Sequence, residues 1–296
     1  MMEGFRQVER NVRKEYINRV ILLSDGLANQ GITDLHELSR IARRYRAKSV
    51  SLTTMGVGLD YNENLMVGLS ESGGGNYYFI ERPTQLASIV RREFEMLSSV
   101  VAQNATIELT LGKHVRINDV IGCEYRVADD RTVVMLGDLY SNDRRDLTVE
   151  LVIPEGSQSS TVATGVLRFE SKEWTESFPS FNTVVHYTKD VAEVEKNRDL
   201  EAQGKADVAL STRHVERAMK AMDDGDNVGA EKALEEATMS LGASPAANQA
   251  GAGGAAIRTQ SLKMESYKNI LKDSVGDARK AKKSIQYDNY QTQKSK

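Results

Sequence analysis

The residue whose position points most clearly to chemistry is Asp25. It follows an apolar run at residues 20–23 and a serine, and Gly26 comes directly after it. A short, continuous apolar run favours a strand that is buried on both faces of a parallel sheet. Open α/β sheets bind their ligands at the carboxyl ends of such strands, which is where Asp25 would lie. A single carboxylate does not make a metal site, because a hard cation takes about six oxygen ligands.

Other residue types that carry out catalysis form no recognisable motif in this chain. The glycines at 56–58 and 73–75 lack the spacing of a phosphate-binding loop and are interpreted as tight turns. No serine stands in a nucleophile elbow, and no pair of carboxylates has a convincing scaffold. The sequence therefore indicates a protein that is not an enzyme. The four histidines are scattered, with no partner at metal or catalytic spacing: His36, His114, His186 and His214.

The elements that position Asp25 alternate between helix and strand over residues 1–98. Thr33 is the predicted N-cap of the helix that follows Asp25. Strands that are separated by helices predict parallel βαβ units. The predicted strands are 20–24, 50–55 and 76–80, and the predicted helices are 5–13, 35–42, 62–70 and 83–98.

The predicted secondary structure changes over residues 99–188, where strands follow one another without helices between them. This pattern is typical of an antiparallel sandwich or partial barrel. Residues 189–241 are acidic and predict a helical hairpin, and residues 242–256 predict a flexible linker because they are rich in Gly, Ala, Ser and Asn. Residues 257–296 predict a last helix with a basic end, solvated and paired with the acidic hairpin. The predicted strands are 106–111, 122–127, 132–136, 147–153 and 161–169.

Composition and charge exclude several functional classes. The net charge of −3 is too close to zero to indicate nucleic acid as a partner. The one cysteine, Cys123, excludes an internal disulfide and a cysteine-rich zinc site. No apolar run approaches the roughly 20 residues of a membrane span, and the first residues lack the apolar core of a signal peptide. As written, the sequence predicts a cytoplasmic protein.

Residues 17–98 resemble the second half of a von Willebrand factor type A (VWA) domain. The matching features are the strand that ends at Asp25 and Gly26, the strand that ends at residues 56–58, and the segment 60–66 after it. The glycine-rich turn that leads into residues 76–80 matches as well. The most similar members are bacterial proteins in which a β-rich segment follows the domain, as residues 104–187 do here.

The resemblance implies a doubly wound sheet with a metal-ion-dependent adhesion site (MIDAS) that binds Mg²⁺ or another divalent cation. In the family this site combines an Asp-x-Ser-x-Ser loop, a threonine from a later loop and an aspartate after the fourth strand. Asp25 matches the third of these elements and is the one metal ligand that we assign from the sequence. Residues 34–39 are no substitute for the first element, because they follow the strand and have the wrong spacing.

The first two elements of this site are expected upstream of residue 1, which predicts that the N-terminal half of the VWA domain is missing. The expected fold class is α/β plus β plus α, with a partial doubly wound (Rossmann-like) sheet, an antiparallel β-sandwich-like domain and a C-terminal helical region. Without the first strands, residues 20–23 become an open apolar edge, and such edges pair with other chains or lead to self-association.

The sequence supports three hypotheses of function. The first is a non-enzymatic protein-interaction protein, which in its complete form binds a protein partner through a divalent cation. The second is a metal-independent scaffold that uses the β-rich and helical regions. The third is an accessory subunit of an ATPase system, because proteins of the family often work beside ATPases.

Overall fold

The computed structural model describes residues 1–13, 16–128, 131–171, 179–273 and 278–294. The chain divides into two compact units: Met1–Arg116, Cys123–Arg144 and Ser160–Val185 form the first, and Ile117–Gly122, Arg145–Ser159 and His186–Lys296 form the second. The helices of the described residues are α1 (Met2–Glu9), α2 (Leu35–Arg46), α3 (Glu63–Gly73), α4 (Leu86–Ser98), α5 (Val191–Lys196), α6 (Leu200–Asp223), α7 (Asn227–Gly242), α8 (Ala252–Asp273) and α9 (Ala278–Gln293). The strands are β1 (Asn18–Ser24), β2 (Val50–Val57), β3 (Gly74–Ile80), β4 (Val100–Leu111), β5 (Arg116–Val120), β6 (Tyr125–Ala128), β7 (Arg131–Tyr140), β8 (Val149–Val152), β9 (Ser160–Glu170) and β10 (Ser180–Val185).

The first unit begins with a parallel sheet of three strands, in which β2 lies between β1 and β3. One face of this sheet packs against α1, α2 and α3, whose apolar side chains form a core with Val20 and Leu52. The predicted alternation of parallel strands and helices is present. The cap of α2 differs by one residue from the prediction, because Asp34, and not Thr33, accepts the hydrogen bond from the backbone N–H of Glu37 at 2.9 Å.

The second sheet of the first unit is antiparallel and has the strand order β10-β9-β4-β7-β6. The long strand β4 pairs with β7 on one side and with β9 on the other. Ala105 and Leu109 of β4 are buried, as is Val134 of β7. The predicted antiparallel β-rich region is thus present as this sheet, but the predicted strand 147–153 is not part of it. That segment forms β8, which pairs with β5 in a separate two-stranded sheet.

The predicted helical hairpin is formed by α6 and α7 in the second unit. Its core combines Val215 of α6 and Leu234 of α7 with residues of the last two helices, Ile257, Met264 and Ile285. Helices α8 and α9 are therefore part of a packed bundle.

The segment 242–256 differs from the flexible linker that its composition predicts. Ala246 is fully buried, and α8 already begins at Ala252. A Cβ atom on Gly204 of α6 would lie only 2.6 Å from the carbonyl oxygen of Gly253. The glycine at this point allows two helix backbones to touch, which a larger residue would prevent.

The basic C-terminal end also differs from a solvated helix. Lys282 and Lys283 of α9 are 6% and 2% exposed. Lys282 forms an ion pair with Asp223 at the end of α6, so the basic end does pair with the hairpin, but in a buried position.

The predicted boundary between residues 98 and 99 runs through one compact unit. A buried ion pair joins the two sheets of that unit, since Arg19 of β1 contacts Asp138 of β7.

Candidate functional site

Asp25 lies in a bend directly after β1, and its side chain is exposed. The parallel register places Ser24 opposite Gly56, so the bend is at the carboxyl end of the strand, as the sequence predicts. The hydroxyl of Ser24 donates a hydrogen bond to the carbonyl oxygen of Gly26 at 2.9 Å, which shapes the bend. Asp25 is therefore presented to solvent at the carboxyl end of the parallel strands, which is where open α/β sheets generally bind their ligands.

The residues around Asp25 do not by themselves fit a hard cation. Within the described ranges, no three His, Cys, Asp or Glu side chains come together in a group that would hold a metal ion. The carboxylate of Asp34, which is near in sequence, is occupied as the cap of α2. Asp25 supplies one ligand where Mg²⁺ takes six in octahedral geometry.

The outer side of β1 is an open sheet edge in the part of the chain that the structure describes, because β1 pairs only with β2. The end of this edge is apolar and exposed: Leu23 is 46% exposed, Leu27 is 65% exposed and Ile32 is 41% exposed. The continuous apolar run predicts burial on both faces, which holds for Val20 but not for Leu23. Unpaired backbone groups beside exposed apolar side chains are a template for strand pairing.

A buried ionic network, which sequence reasoning missed, lies on the other face of the parallel sheet. Arg19 Nη1 is 2.7 Å from Glu93 Oε1 of α4, and Arg19 Nη2 is 2.5 Å from Asp138 Oδ2 of β7. The exposed fraction of these three side chains is 3%, 0% and 7%. Arg19 Nε also donates to the hydroxyl of Ser51 at 2.9 Å.

The remaining lone pairs of Glu93 are used by the neighbouring strands. Thr53 donates to Oε1 at 2.6 Å, and Oε2 accepts from Tyr78 at 2.7 Å and from the amide of Asn76 at 3.0 Å. Burial raises the pKa of Glu93, but the charge of Arg19 and these hydrogen bonds outweigh burial, so the pKa stays below its ordinary value. For Asp138 burial is the larger effect and raises the pKa despite Arg19.

One signal in the sequence points to this network. Glu93 stands four residues after Ile89 and three before Met96, so it lies on the same helix face as apolar residues. A charged residue in such a face requires a buried partner. The sequence alone does not identify Arg19, because 74 residues separate the two.

One nucleophile–base contact occurs in the second unit. The hydroxyl of Ser159 and Nδ1 of His186 are 2.6 Å apart, and both residues are exposed. A serine needs a base that a third group orients, in a site from which water is excluded. This exposed pair does not meet that requirement.

Two glycines of the segments interpreted as tight turns, Gly58 and Gly74, have the left-handed φ of 70° that such turns use, and two others, Gly56 and Gly75, lie where other atoms come close. A Cβ atom on Gly75 would lie 2.3 Å from the carbonyl oxygen of Leu52, and one on Gly56 would lie 2.1 Å from the ring of Tyr61. Gly74 has a φ of 70° and ends α3.

In the part of the chain that is described, no helix has both the length and the apolar character to cross a bilayer.

A parallel sheet covered by helices, followed by an antiparallel sheet, defines an α/β protein with an added β-rich region. Residues 1–92 match the sequence profile of the von Willebrand factor type A domain. The chain is therefore a VWA domain-containing protein, as the resemblance indicates.

Two curated relatives have names but no described activity. The uncharacterised protein YfbK of Escherichia coli is 30% identical over 107 residues, which are 36% of this chain and 19% of YfbK. The uncharacterised protein sll0103 of Synechocystis is 25% identical over 154 residues, which are 48% of this chain and 36% of sll0103. The chain thus spans between about a fifth and about a third of these relatives.

A similarity to solved structures covers nearly the whole chain. The structure titled von Willebrand factor type A from Catenulispora acidiphila superposes with a TM-score of 0.69 at 14% identity, over 99% of this chain and 70% of that one. At this identity the likeness establishes the fold alone. It extends beyond the VWA match to the β-rich and helical regions.

Proposed function

We propose that this chain is a non-enzymatic interaction protein whose VWA part binds another polypeptide along the open edge of β1. The observation that carries the proposal is the apolar edge of β1, which no second described strand pairs with and which leads directly to the exposed carboxylate of Asp25. Strand addition to such an edge supplies main-chain hydrogen bonds, and exposed side chains such as Leu23 supply apolar contact. A second copy of this chain is one partner that the edge accommodates.

Asp25 has a defined part in this proposal. We propose that its carboxylate is one ligand of a MIDAS-type divalent cation, such as Mg²⁺. The other oxygen donors then come from outside the described residues. The chain alone is then expected to bind Mg²⁺ weakly or not at all, because one carboxylate leaves most of the coordination sphere to water. Pairing at the β1 edge does not require the cation.

The edge is tested by the association state of the whole chain. Sedimentation velocity over a concentration series is expected to show self-association that Leu23→Lys weakens, because an edge lysine blocks further pairing. The matched control is Leu262→Lys, since Leu262 is also exposed, at 67%, but lies on α8. A chain that stays monomeric at every concentration, or equal behaviour of both variants, would contradict pairing of two copies at the β1 edge.

The metal assignment needs a separate experiment. Mg²⁺ is titrated into this chain and into a chimaera that carries an Asp-x-Ser-x-Ser half-domain of the family upstream. The chimaera is expected to bind, and Asp25→Ala is expected to abolish that binding. Retention of Mg²⁺ binding by the Asp25→Ala chimaera would remove Asp25 from the site.

A second candidate is the metal-independent scaffold. It is favoured by β10, an edge strand of the antiparallel sheet on which Phe181 is 47% exposed and Val184 is 42% exposed. A fragment of residues 100–296 is unsuitable as a test, because it removes the parallel sheet from the first unit. Phe181→Asp in the whole chain is the better test, and it weakens association only if β10 is the interface.

A further inference from the structure

Helix α4 lies on the parallel sheet with much of its apolar side still open. The one fully buried side chain of α4 is Glu93, whereas Phe94 is 59% exposed. An amphipathic helix normally buries its apolar stripe. The other large apolar residues of α4 are only half-buried: Leu86, Ile89, Val90, Met96 and Leu97.

The contacts beneath α4 show which way the open part of this side faces. Glu93 points at the sheet, where its carboxylate reaches Arg19 of β1 and Tyr78 of β3. Met96 leans toward β3, since its sulfur is 3.7 Å from the hydroxyl of Tyr78. Successive helix residues are rotated by about 100°, which places Met96 about 60° to one side of Glu93 and Phe94 about 100° to the other. Phe94 therefore leans away from β3 and toward the open edge at β1.

The side of α4 that faces the β1 edge carries no charge of its own. By the same rotation, Val90 and Ala87 lie about 60° and about 120° from Glu93, on the side of Phe94. Two such sides can meet without bringing like charges of α4 together. The charged residues of α4 on its outer side and on the side toward β3 are Arg91, Arg92 and Glu95.

We propose that the partner at the β1 edge is a second copy of this chain, paired so that the two α4 helices pack side by side. This inference rests on the function proposed above, because it takes the β1 edge as the interface. Identical edges pair antiparallel, about a two-fold axis perpendicular to the sheet, or parallel, about an axis along the strands. Only the antiparallel arrangement places both α4 helices on the same face of the joined sheet, where each covers Val90 and Phe94 of the other.

A second copy fits this surface better than a single extended peptide. A peptide added to β1 forms main-chain hydrogen bonds in the plane of the strands. Phe94 belongs to the helix layer above that plane, so a peptide strand alone leaves the outer part of its ring open. A second α4 lies in the same layer and covers the ring, and large aromatic side chains are enriched at the centre of protein interfaces.

Sedimentation velocity of the whole chain over a concentration series tests the contact between the α4 helices. Phe94→Ser is expected to raise the Kd of self-association about tenfold or more, because it removes apolar contact and leaves the β1 edge unchanged. The matched control is Leu262→Ser, since Leu262 is 67% exposed on α8, and this variant is expected to associate like the unaltered chain. Far-UV circular dichroism checks that both variants keep their fold.

The antiparallel arrangement is tested by cross-linking. Cys123→Ser removes the one native thiol, and Ala87→Cys adds a thiol at an exposed position on the side of α4 that carries Val90. A short bis-maleimide is expected to join two copies through position 87, because the two-fold axis brings the two helices together. Ser88→Cys in the same background is the control: Ser88 is exposed but lies on the other side of the helix, so it is expected to give no cross-linked dimer.

The outcomes separate this inference from the proposed function. Association that Leu23→Lys weakens but Phe94→Ser does not would overturn the α4 contact and leave pairing at the β1 edge in place. Association that both variants weaken, without a cross-link through position 87, would overturn the antiparallel arrangement. A chain that is monomeric at every concentration would overturn both the pairing of two copies and this inference.

Discussion

Arg19 Nη1 lies 2.7 Å from Glu93 Oε1, and both side chains are closed off from solvent. The same guanidinium reaches Asp138 at 2.5 Å, so one cation joins β1, α4 and β7. Breaking a buried pair leaves an uncompensated charge, which costs more than the pair contributes in net stability. The two sheets of the first unit are therefore expected to unfold together.

The first prediction concerns the stability of this network. Glu93→Gln keeps the shape of the side chain but removes the charge that faces Arg19, and is expected to lower the free energy of unfolding by about 3 kcal/mol. Denaturant unfolding followed by circular dichroism measures the change. Glu95→Gln is the control, because Glu95 is exposed on the same helix. Equal stability of the two variants would contradict a structural role for the pair.

The second prediction is the pH dependence of the difference in stability between the unaltered chain and Glu93→Gln. The pKa of Glu93 is below 4.5 in the folded chain and near that value in the unfolded chain, so the stabilisation is fully present above about pH 4.5. It is lost as the pH falls through the folded pKa. The difference between the unaltered chain and Glu93→Gln is thus expected to be constant from about pH 8 to about pH 5.5 and to shrink in more acidic buffer. The raised pKa of Asp138 affects the pH dependence of stability in the opposite direction, but Asp138 is present in both proteins. A difference that grows on acidification would refute the assignment.

The third prediction tests the close crossing of α6 and α8. A Cβ atom on Gly253 would lie 2.3 Å from the carbonyl oxygen of Leu200, so Gly253→Ala is expected to destabilise the second unit by about 1–3 kcal/mol. Gly242 at the end of α7 has no atom within 4 Å of such a Cβ. Gly242→Ala is therefore expected to be neutral or to stabilise by up to about 1 kcal/mol. Thermal melts of the two variants make the comparison, and a neutral Gly253→Ala would restore the interpretation of residues 242–256 as a linker.

The fourth prediction tests whether the basic last helix belongs to the core. Ile285 is 1% exposed on α9, so Ile285→Asp buries an unpaired charge and is expected to unfold the helical bundle. Leu262→Asp on α8 places the same charge on an exposed side chain. Far-UV circular dichroism is expected to show a loss of helix only for the first variant. Native helical content in Ile285→Asp would indicate that α9 is not part of the bundle core.

The parallel elements and the position of Asp25 were predictable because their signals are local. Each of these signals lies within about ten residues of sequence. They are an apolar run, the aspartate that follows it, and the glycines at turns. The partnership of Arg19 with Glu93 was not predictable, because it depends on which elements meet after folding. Gly253 shows a different limit: glycine serves both flexibility and close packing, and only the presence of Gly204 opposite it decides between them.

The division of the chain into units has a consequence for its synthesis and its evolution. The chain passes from one unit to the other at five points, after residues 116, 122, 144, 159 and 185. The first unit cannot be completed on the ribosome until Val185 has emerged. At that point two segments of the second unit have been synthesised, but α6 to α9, against which they pack, have not. No single crossover between genes can exchange one unit without splitting the other. The two units are therefore expected to be inherited together, and insertions are expected to be tolerated in loops within a unit rather than at a domain border.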